Sequence, residues 1–177
     1  MFNIILIGMP SCGKSTIGVL LAKSLGYRFL DSDILLQEKE GKQLHQLLDE
    51  HGLDGFLQLE NQLNASLTLQ NTVLATGGSA IYGKEAMEHL RSLGTVIYLK
   101  IDLPTLQKRL GDYTHRGVAM KKNDTLADLY DERLPLYEKY ADITIEEKDS
   151  TSMGDILQQI LSQYQQQKPQ NYGVMNG

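Results

Sequence analysis

The chain has 177 residues, of which 41% are hydrophobic and 22% charged, as is typical of one globular domain. Its net charge of −5 offers no basic surface for nucleic acid, and no apolar run is long enough to cross a membrane. The single cysteine excludes an internal disulfide and suits a reducing compartment, so we expect a cytoplasmic protein. No long apolar stripe predicts an obligate dimer, and we expect a monomer.

Short β-rich runs alternate along the chain with segments whose apolar residues have helical spacing. The predicted strands are residues 3–7, 28–30, 72–76, 95–100 and 143–145. The predicted helices are residues 15–25, 53–69, 84–92, 104–110, 125–141 and 152–164. Strands that are nearly all apolar and are separated by helices predict an α/β fold, with a parallel sheet covered on both faces. Ligands of such folds bind at the carboxyl ends of the strands.

The end of the chain is the one low-complexity segment. From Gln163 it reads QYQQQKPQNYGVMNG and carries little apolar material. Such a composition cannot bury enough surface to stay ordered, so we expect it to fray. The sequence therefore predicts one domain over residues 1–165 and a disordered tail over residues 166–177.

The stretch GMPSCGKST directly follows the first predicted strand and matches the pattern G-x-x-x-x-G-K-[ST]. Glycines let the backbone bring its N–H groups onto phosphate oxygens, and the positive end of the next helix points at the same anion. Lys14 is expected to bridge the β- and γ-phosphates of ATP, and the Ser15 hydroxyl to ligate Mg²⁺. The alternative is a glycine turn capped by serine, with a solvated lysine. The predicted nucleotide-binding residues are Gly8, Pro10, Ser11, Cys12, Gly13, Lys14, Ser15 and Thr16.

Cys12 lies inside this loop, close to a helix N-terminus that favours the thiolate form. One hypothesis is a redox-sensitive nucleotide site. The other, which we favour, is that Cys12 is a small residue filling a tolerant position.

Two carboxylates follow the second predicted strand, in RFLDSDILL. Asp31 and Asp33 beside a phosphate loop could hold Mg²⁺ through water and orient an acceptor hydroxyl. The alternative is that one of them only caps the next helix. The third predicted strand is followed by Gly77, Gly78 and Ser79, where two glycines permit close approach to a ligand or simply form a turn.

Three arginines complete the candidate site. One segment, GDYTHRGVAMKKND at residues 111–124, has the composition of a mobile lid that would carry Arg116 to the transferred phosphate. The alternative is an ordinary surface loop. Arg133 lies on a predicted helix just before Pro135, where it could face the acceptor. Arg109 could stack on adenine or extend from a helix end into solvent.

The order of these motifs closely resembles the shikimate kinase family. The phosphate loop is followed by FLDSD, GFLQLE, ATGGS, an arginine-bearing lid and ERLPLYEKYAD, from about residue 3 to residue 147. The resemblance implies a three-layer P-loop kinase fold with strand order 2-3-1-4-5, an acceptor-binding helical region over residues 33–69 and a lid over residues 111–124. It also implies a kinase that uses ATP and Mg²⁺ to phosphorylate a small hydroxylated acceptor.

The resemblance further implies a role for each matching residue. Lys14 and Ser15 would act on the phosphates and the metal, and Asp31 on the metal through water. Asp33 would hold the acceptor hydroxyls and take a proton. Gly77 and Gly78 would line the acceptor site, and Arg109 would contact the adenine. Arg116 would reach the γ-phosphate from the lid, and Arg133 would bind the substrate carboxylate.

The chain departs from the family pattern on the acceptor side. Where family members usually read G-E-x-x-F-R-x-x-E, this chain reads GLDGFLQLE, so Leu53 and Leu57 replace a glutamate and an arginine. Glu60, which commonly pairs with that arginine, is retained, and the third glycine of the triple glycine is Ser79. We expect an active kinase whose acceptor specificity is weakened or redirected, with Leu57 as an apolar wall. The alternatives are a gluconate-type or other small-molecule kinase, and an ATP-binding sensor without kinase activity.

Overall fold

The structure is a computed structural model that describes residues 3–110, 118–148 and 150–167. All neighbouring strand pairs are parallel, and each strand ends within two residues of its predicted bounds. The prediction of an α/β fold with a parallel sheet is confirmed. The strands are β1 (Ile4–Ile7), β2 (Arg28–Asp31), β3 (Thr72–Ala75), β4 (Thr95–Ile101) and β5 (Ile143–Glu147).

The strand order is β2-β3-β1-β4-β5, which is the order that the family resemblance implied. Ile5 lies beside Leu74 of β3 and Val96 of β4, so β1 is the central strand. Every residue of β1 and β3 is buried. Because successive side chains point to opposite faces of a strand, both faces of the sheet are covered by helices.

Helix α1 packs against α7, and α3 packs against α2 and α4. Within the described residues, no helix combines the length and the apolarity that spanning a bilayer requires. The helices are α1 (Lys14–Leu25), α2 (Ser32–Glu40), α3 (Leu44–Ser66), α4 (Lys84–Leu93), α5 (Leu103–Leu110), α6 (Leu126–Tyr140) and α7 (Met153–Gln167), with a short 3-10 helix at Ala80–Tyr82.

Two helical segments were not assigned as helices from the sequence pattern. Helix α2 buries only Ser32 and Leu36, so it lacks the apolar stripe from which a helix is predicted. Helix α3 begins earlier than predicted and is two segments joined at Gly52, where φ is 66° and ψ is −179°. The second segment starts at Leu53, as predicted.

The last helix extends further than the sequence predicted. Helix α7 continues through Gln167 rather than fraying from Gln163, because Tyr164 is 2% exposed and packs into the main core. Residues 168–177, the rest of the expected tail, lie outside the described residues, as do residues 111–117 of the expected lid, which include Arg116.

A second apolar cluster holds the acceptor-side helices together. It joins α2 and α3 to Ala119, the second described residue after the undescribed part of the lid segment. Ala119 is 5% exposed, so this end of the segment is fixed against the helices rather than free in solvent. The buried members are Leu36, Leu47, Phe56, Leu63 and Ala119.

Candidate active site

The loop between β1 and α1 has the backbone that a phosphate requires. Gly8 and Gly13 have φ angles of 150° and 93°, which residues with a side chain rarely adopt. A Cβ on Gly8 would lie 2.7 Å from the carbonyl oxygen of Leu99, so the loop is packed tightly against β4. Gly13 caps α1 without any side-chain hydrogen bond, so the free N–H groups of the first turn remain open to an anion.

Lys14 is held in place by the loop itself. Its ammonium group donates hydrogen bonds to the carbonyl oxygens of Gly8 and Met9, both at 2.9 Å. The side chain is buried at 7% exposure, which contradicts the alternative of a solvated lysine. Its charge therefore lies at the mouth of the loop before any ligand arrives.

Cys12 does not have the environment of a reactive thiolate. It is 1% exposed, and burial raises the pKa of its thiol above the usual range, with the nearby Lys14 ammonium offsetting only part of the effect. The expectation that the helix N-terminus favours the thiolate is wrong here, because desolvation outweighs it. The geometry fits the role of a small buried filler.

Asp31 caps α2, as one interpretation of the carboxylate pair predicted, and it also contacts the phosphate loop. One oxygen, Oδ2, accepts a hydrogen bond of 2.6 Å from the Ser15 hydroxyl, and the other, Oδ1, accepts one of 3.0 Å from the backbone N–H of Asp33. The second contact caps α2, and the first joins two hard oxygen donors at the phosphate loop. Oxygen donors of this kind suit Mg²⁺, which binds few protein ligands and completes its shell with phosphate and water. Within residues 3–110, 118–148 and 150–167 there is no larger group of metal-ligating side chains.

Asp33 lies across the cavity from the phosphate loop. Burial raises the pKa of its carboxyl group to about 6, Asp31 adds to the rise, and Lys14 opposes it. A Cβ on Gly77 would lie 2.7 Å from Asp33 Oδ1 and would overlap the Glu60 carboxylate. Glycine is therefore required at position 77, since both carboxylates approach its backbone.

These elements enclose one cavity of about 460 Å³, lined by Lys14, Asp33, Ser79 and others. It brings together most of the predicted site: Pro10, Ser11, Gly13, Lys14, Ser15, Thr16, Asp33, Gly77, Gly78, Ser79 and Arg109. Gly8, Cys12 and Asp31 do not line this cavity, although Asp31 contacts its lining residue Ser15.

Two predicted residues lie beside this cavity. Leu57 lines a separate cavity of about 170 Å³, whose wall includes Leu53 and Met120, and Ala119 separates the two spaces. Arg133 is fully buried behind Gly78, where its Nη2 donates to the carbonyl oxygen of Ala119 and its Nε to the Tyr82 hydroxyl at 3.3 Å.

Arg109 lines the cavity at the end of α5. Its guanidinium forms an ion pair of 2.5 Å with Glu147, the last residue of β5, whose side chain is 2% exposed. This pair ties α5 to the sheet edge and fixes where Arg109 enters the cavity. The sequence pattern did not single out Glu147.

Part of the lining was not predicted from the sequence. The unpredicted lining residues are Leu44, Phe56, Val118 and Ala119. Glu60, which the family pattern did single out, is buried directly behind the Gly77–Ser79 wall. Phe56 and Glu60 belong to the GFLQLE motif, so that motif could have identified both as site residues. No sequence motif contains Leu44, which comes from the unpredicted first segment of α3.

The comparisons with known proteins agree with this geometry. A profile of the shikimate kinase family matches residues 10–166. The shikimate kinase of Chlorobium chlorochromatii is 38% identical over 168 residues, which cover 89% of this chain and 87% of that protein. That of Francisella tularensis subsp. novicida is 39% identical over 153 residues, covering 84% and 87%.

Solved structures give the same result. A shikimate kinase from Acinetobacter baumannii in complex with shikimate superimposes with a TM-score of 0.86 at 34% identity, covering 95% of both chains. A gluconokinase from Sinorhizobium meliloti, at 17% identity and a TM-score of 0.58, covers 93% of this chain and 92% of its own and shares the fold alone. With its phosphate loop, its strand order and its relatives in agreement, the chain belongs to the shikimate kinase family, the P-loop small-molecule kinases that use ATP as phosphate donor.

Proposed function

We propose that this kinase transfers the γ-phosphate of ATP to a hydroxyl of shikimate or of a related hydroxylated compound, with Mg²⁺ as cofactor. The observation that carries the proposal is the single cavity in which the phosphate loop, Asp33 and the Gly77–Ser79 turn face one another. Donor and acceptor groups held in one such space can meet without water between them.

On the donor side, the first-turn N–H groups of α1 and the Lys14 ammonium bind the β- and γ-phosphates. Ser15, and Asp31 through water, would hold Mg²⁺, which would supply charge neutralisation at the phosphate oxygens. Arg109 contacts adenine, and Arg116 of the lid binds the γ-phosphate. The inward position of Lys14, already bonded to two loop carbonyls, supports this assignment because little reorganisation is needed.

On the acceptor side, Asp33 accepts the proton of the attacking hydroxyl, whose oxygen forms the new bond to the γ-phosphorus as ADP leaves. Gly77 and Gly78 let the acceptor approach the backbone. Arg133 binds an anionic group of the acceptor, and its Nη1 supports this, because that atom is buried and has no hydrogen-bond partner among the described residues. Nη1 lies 3.1 Å from the position of a Cβ on Gly78, next to the cavity wall.

Leu57 lies beside the acceptor cavity, with Ala119 between them, and offers no cation to an acceptor. An arginine there would add a second cation for a carboxylate, and a hydrogen bond to a charged group contributes about 1.5–3 kcal/mol. Its loss corresponds to roughly 10- to 150-fold weaker use of shikimate. We therefore propose that the preferred acceptor has a smaller or less anionic group on the side of the cavity formed by Ala119, behind which Leu57 lies.

The test is an ADP-release assay with Mg·ATP over shikimate, other hydroxy acids and polyols, with the phosphorylated product identified by mass spectrometry. We expect weak turnover of shikimate and faster turnover of at least one relative. ATP binding by calorimetry without turnover of any acceptor would contradict the proposal and favour a nucleotide sensor. A gluconate-preferring profile would move the chain to a different acceptor class within the same fold.

We also propose that the enzyme works as a cytoplasmic monomer on small molecules, without a nucleic acid or membrane partner. The net charge of −5 and the single cysteine support this proposal. Light scattering of the purified protein tests the monomer directly, and a dimer mass would contradict it.

A further inference from the structure

Glu60 is a buried carboxyl group with an unusual partner. It is 3% exposed, and its Oε2 accepts a hydrogen bond of 2.5 Å from the Ser79 hydroxyl. Its other oxygen, Oε1, has no hydrogen-bond partner among the described residues. Within that part of the chain no lysine or arginine forms an ion pair with Glu60, so Ser79 is the polar contact that compensates its burial.

Position 57 is where a cation could reach this carboxyl group. Leu57 precedes Glu60 by three residues in the second segment of α3, and side chains at that spacing lie on the same helix face. Leucine offers no charge, and it lines the smaller cavity instead. Two of the three departures from the family pattern, Leu57 and Ser79, thus meet at one carboxyl group, because a glycine at position 79 could not donate the bond that Ser79 makes.

The charged groups around Glu60 come from three further elements. Asp33 of α2 and Glu60 Oε1 both approach Gly77, while Arg133 of α6 and Lys14 of α1 act on Glu60 from beyond ion-pair distance. Burial raises the pKa of Glu60 to about 7; Asp33 adds to the rise, and Ser79, Arg133 and Lys14 oppose it. The carboxyl group therefore stands between its two protonation states near neutral pH, beside the proposed base of the reaction.

We propose that Ser79 has taken over from a cation at position 57 as the partner of Glu60, and that Leu57, Glu60 and Ser79 form one coupled specificity unit. Glu60 acts in it as a positioning residue, since it borders Gly77 and Asp33 from behind the cavity wall. Ser79 itself faces the acceptor space. The kinetic part of this inference rests on the proposed function, whereas the coupling of the three residues does not.

The coupling is tested by following the side-chain carboxyl carbon of Glu60 by ¹³C NMR across a pH titration of the full chain, with Glu60→Gln to assign the signal. We expect Ser79→Ala to move the titration to higher pH, because the charged form loses its hydrogen bond. Ser79→Thr keeps a hydroxyl and should restore the native titration. Leu57→Arg should move the Glu60 titration to lower pH. Ser79→Ala should shift that titration less when it is added to Leu57→Arg than when it is made in the native chain.

A matched control is Gln58→Arg, which adds the same charge to the exposed side of the helix. We expect it to leave the Glu60 titration in place. Equal shifts from Ser79→Ala with and without Arg at position 57 would overturn the coupling, as would an unchanged titration in Ser79→Ala. If Leu57→Arg fails to fold, Leu57→Lys supplies the cation for the same comparison, and the contrast between Ser79→Ala and Ser79→Thr still decides whether the hydroxyl is the partner of Glu60.

The kinetic arm uses shikimate as the acceptor in the ADP-release assay. We expect Ser79→Ala to lower kcat/KM about tenfold in the native background and less than about twofold alongside Leu57→Arg, mainly through KM. Identical losses in both backgrounds would overturn the role in specificity. If no variant phosphorylates shikimate while the NMR titrations show coupling, the unit stands and the proposed acceptor is wrong.

Discussion

The donor and acceptor sides of the cavity are built in different ways. The donor side is one continuous stretch between β1 and α1, and its contacts are largely backbone, with Lys14 bonded to two loop carbonyls. The acceptor side is assembled from α2, α3, the turn after β3 and α6, and its contacts are made by side chains such as Glu60 and Arg133.

This difference indicates which side of the cavity can change its ligand through single substitutions. Backbone contacts to phosphate depend on a few glycines and survive most substitutions around them. Side-chain contacts to an acceptor change with each residue, as Leu57 and Ser79 illustrate. A chain with an intact donor side and an altered acceptor side should keep ATP chemistry while its acceptor preference moves.

Asp33→Asn should separate the two sides most clearly. The amide cannot take the acceptor proton, so kcat should fall about 10²- to 10⁴-fold. The thermal stabilisation by Mg·ATP should be retained, because the loop is untouched. Loss of that stabilisation would mean that Asp33 serves the donor side, and unchanged kcat would remove it as the base.

Lys14→Met should damage the donor side itself. Removing one preorganised charge at the phosphates should lower kcat roughly 10²- to 10³-fold and should also reduce the thermal shift caused by Mg·ATP. Lys23→Ala, which removes an exposed lysine from the last turn of the same helix, is the control and should change neither quantity. Full activity in Lys14→Met would disprove the phosphate role of the loop.

Leu57→Arg should repair the acceptor side. We expect shikimate kcat/KM to rise by roughly 10- to 150-fold, because the carboxylate gains a charged hydrogen bond. KM for ATP should stay the same. Gln58→Arg should give no gain in kcat/KM. If both variants gain equally, the gain comes from added positive charge in general and not from an arginine at position 57.

Glu60→Gln should change how stability depends on pH. The pKa of Glu60 is raised from an ordinary 4.5 to about 7 by burial, so between these values the unfolded chain releases a proton that the folded chain retains. The native protein should therefore lose stability relative to the variant as pH rises through that window. A pKa difference of about 2.5 corresponds to about 3–4 kcal/mol, so from pH 4.5 to pH 8 the Tm of the native protein should fall by roughly 7–14 °C relative to that of the variant. A constant difference would contradict the raised pKa.

Cys12 should be protected by the packing of the donor loop. Because its thiol is 1% exposed and its pKa is raised, iodoacetamide should label it at least about tenfold more slowly in the folded chain than in denaturant. Labelling can be followed by mass spectrometry with and without Mg·ATP. Rapid labelling of the folded protein would restore the redox hypothesis.

The sequence predicted the sheet better than the helices of the acceptor side. The strands are short apolar runs whose composition alone identifies them, and their order followed from the resemblance. Helix α2 was missed because it buries only two residues, and the kink at Gly52 divides α3 in a way that a periodic pattern does not show. The same limit applies to the site, where Leu44 and Ala119 carry no local chemical signal.

What the sequence by itself determined is the donor loop, because GMPSCGKST is contiguous and its chemistry is local. Comparison with the family pattern also identified the altered positions Leu53, Leu57 and Ser79, because each lies inside a short contiguous motif. Only the tertiary structure decided that Ser79 bonds Glu60, that Arg133 bonds Ala119 and that Cys12 is desolvated. Those facts join residues 14 to 19 positions apart, or depend on packing from several elements, and burial free energy is set by neighbours that the chain brings together only when folded.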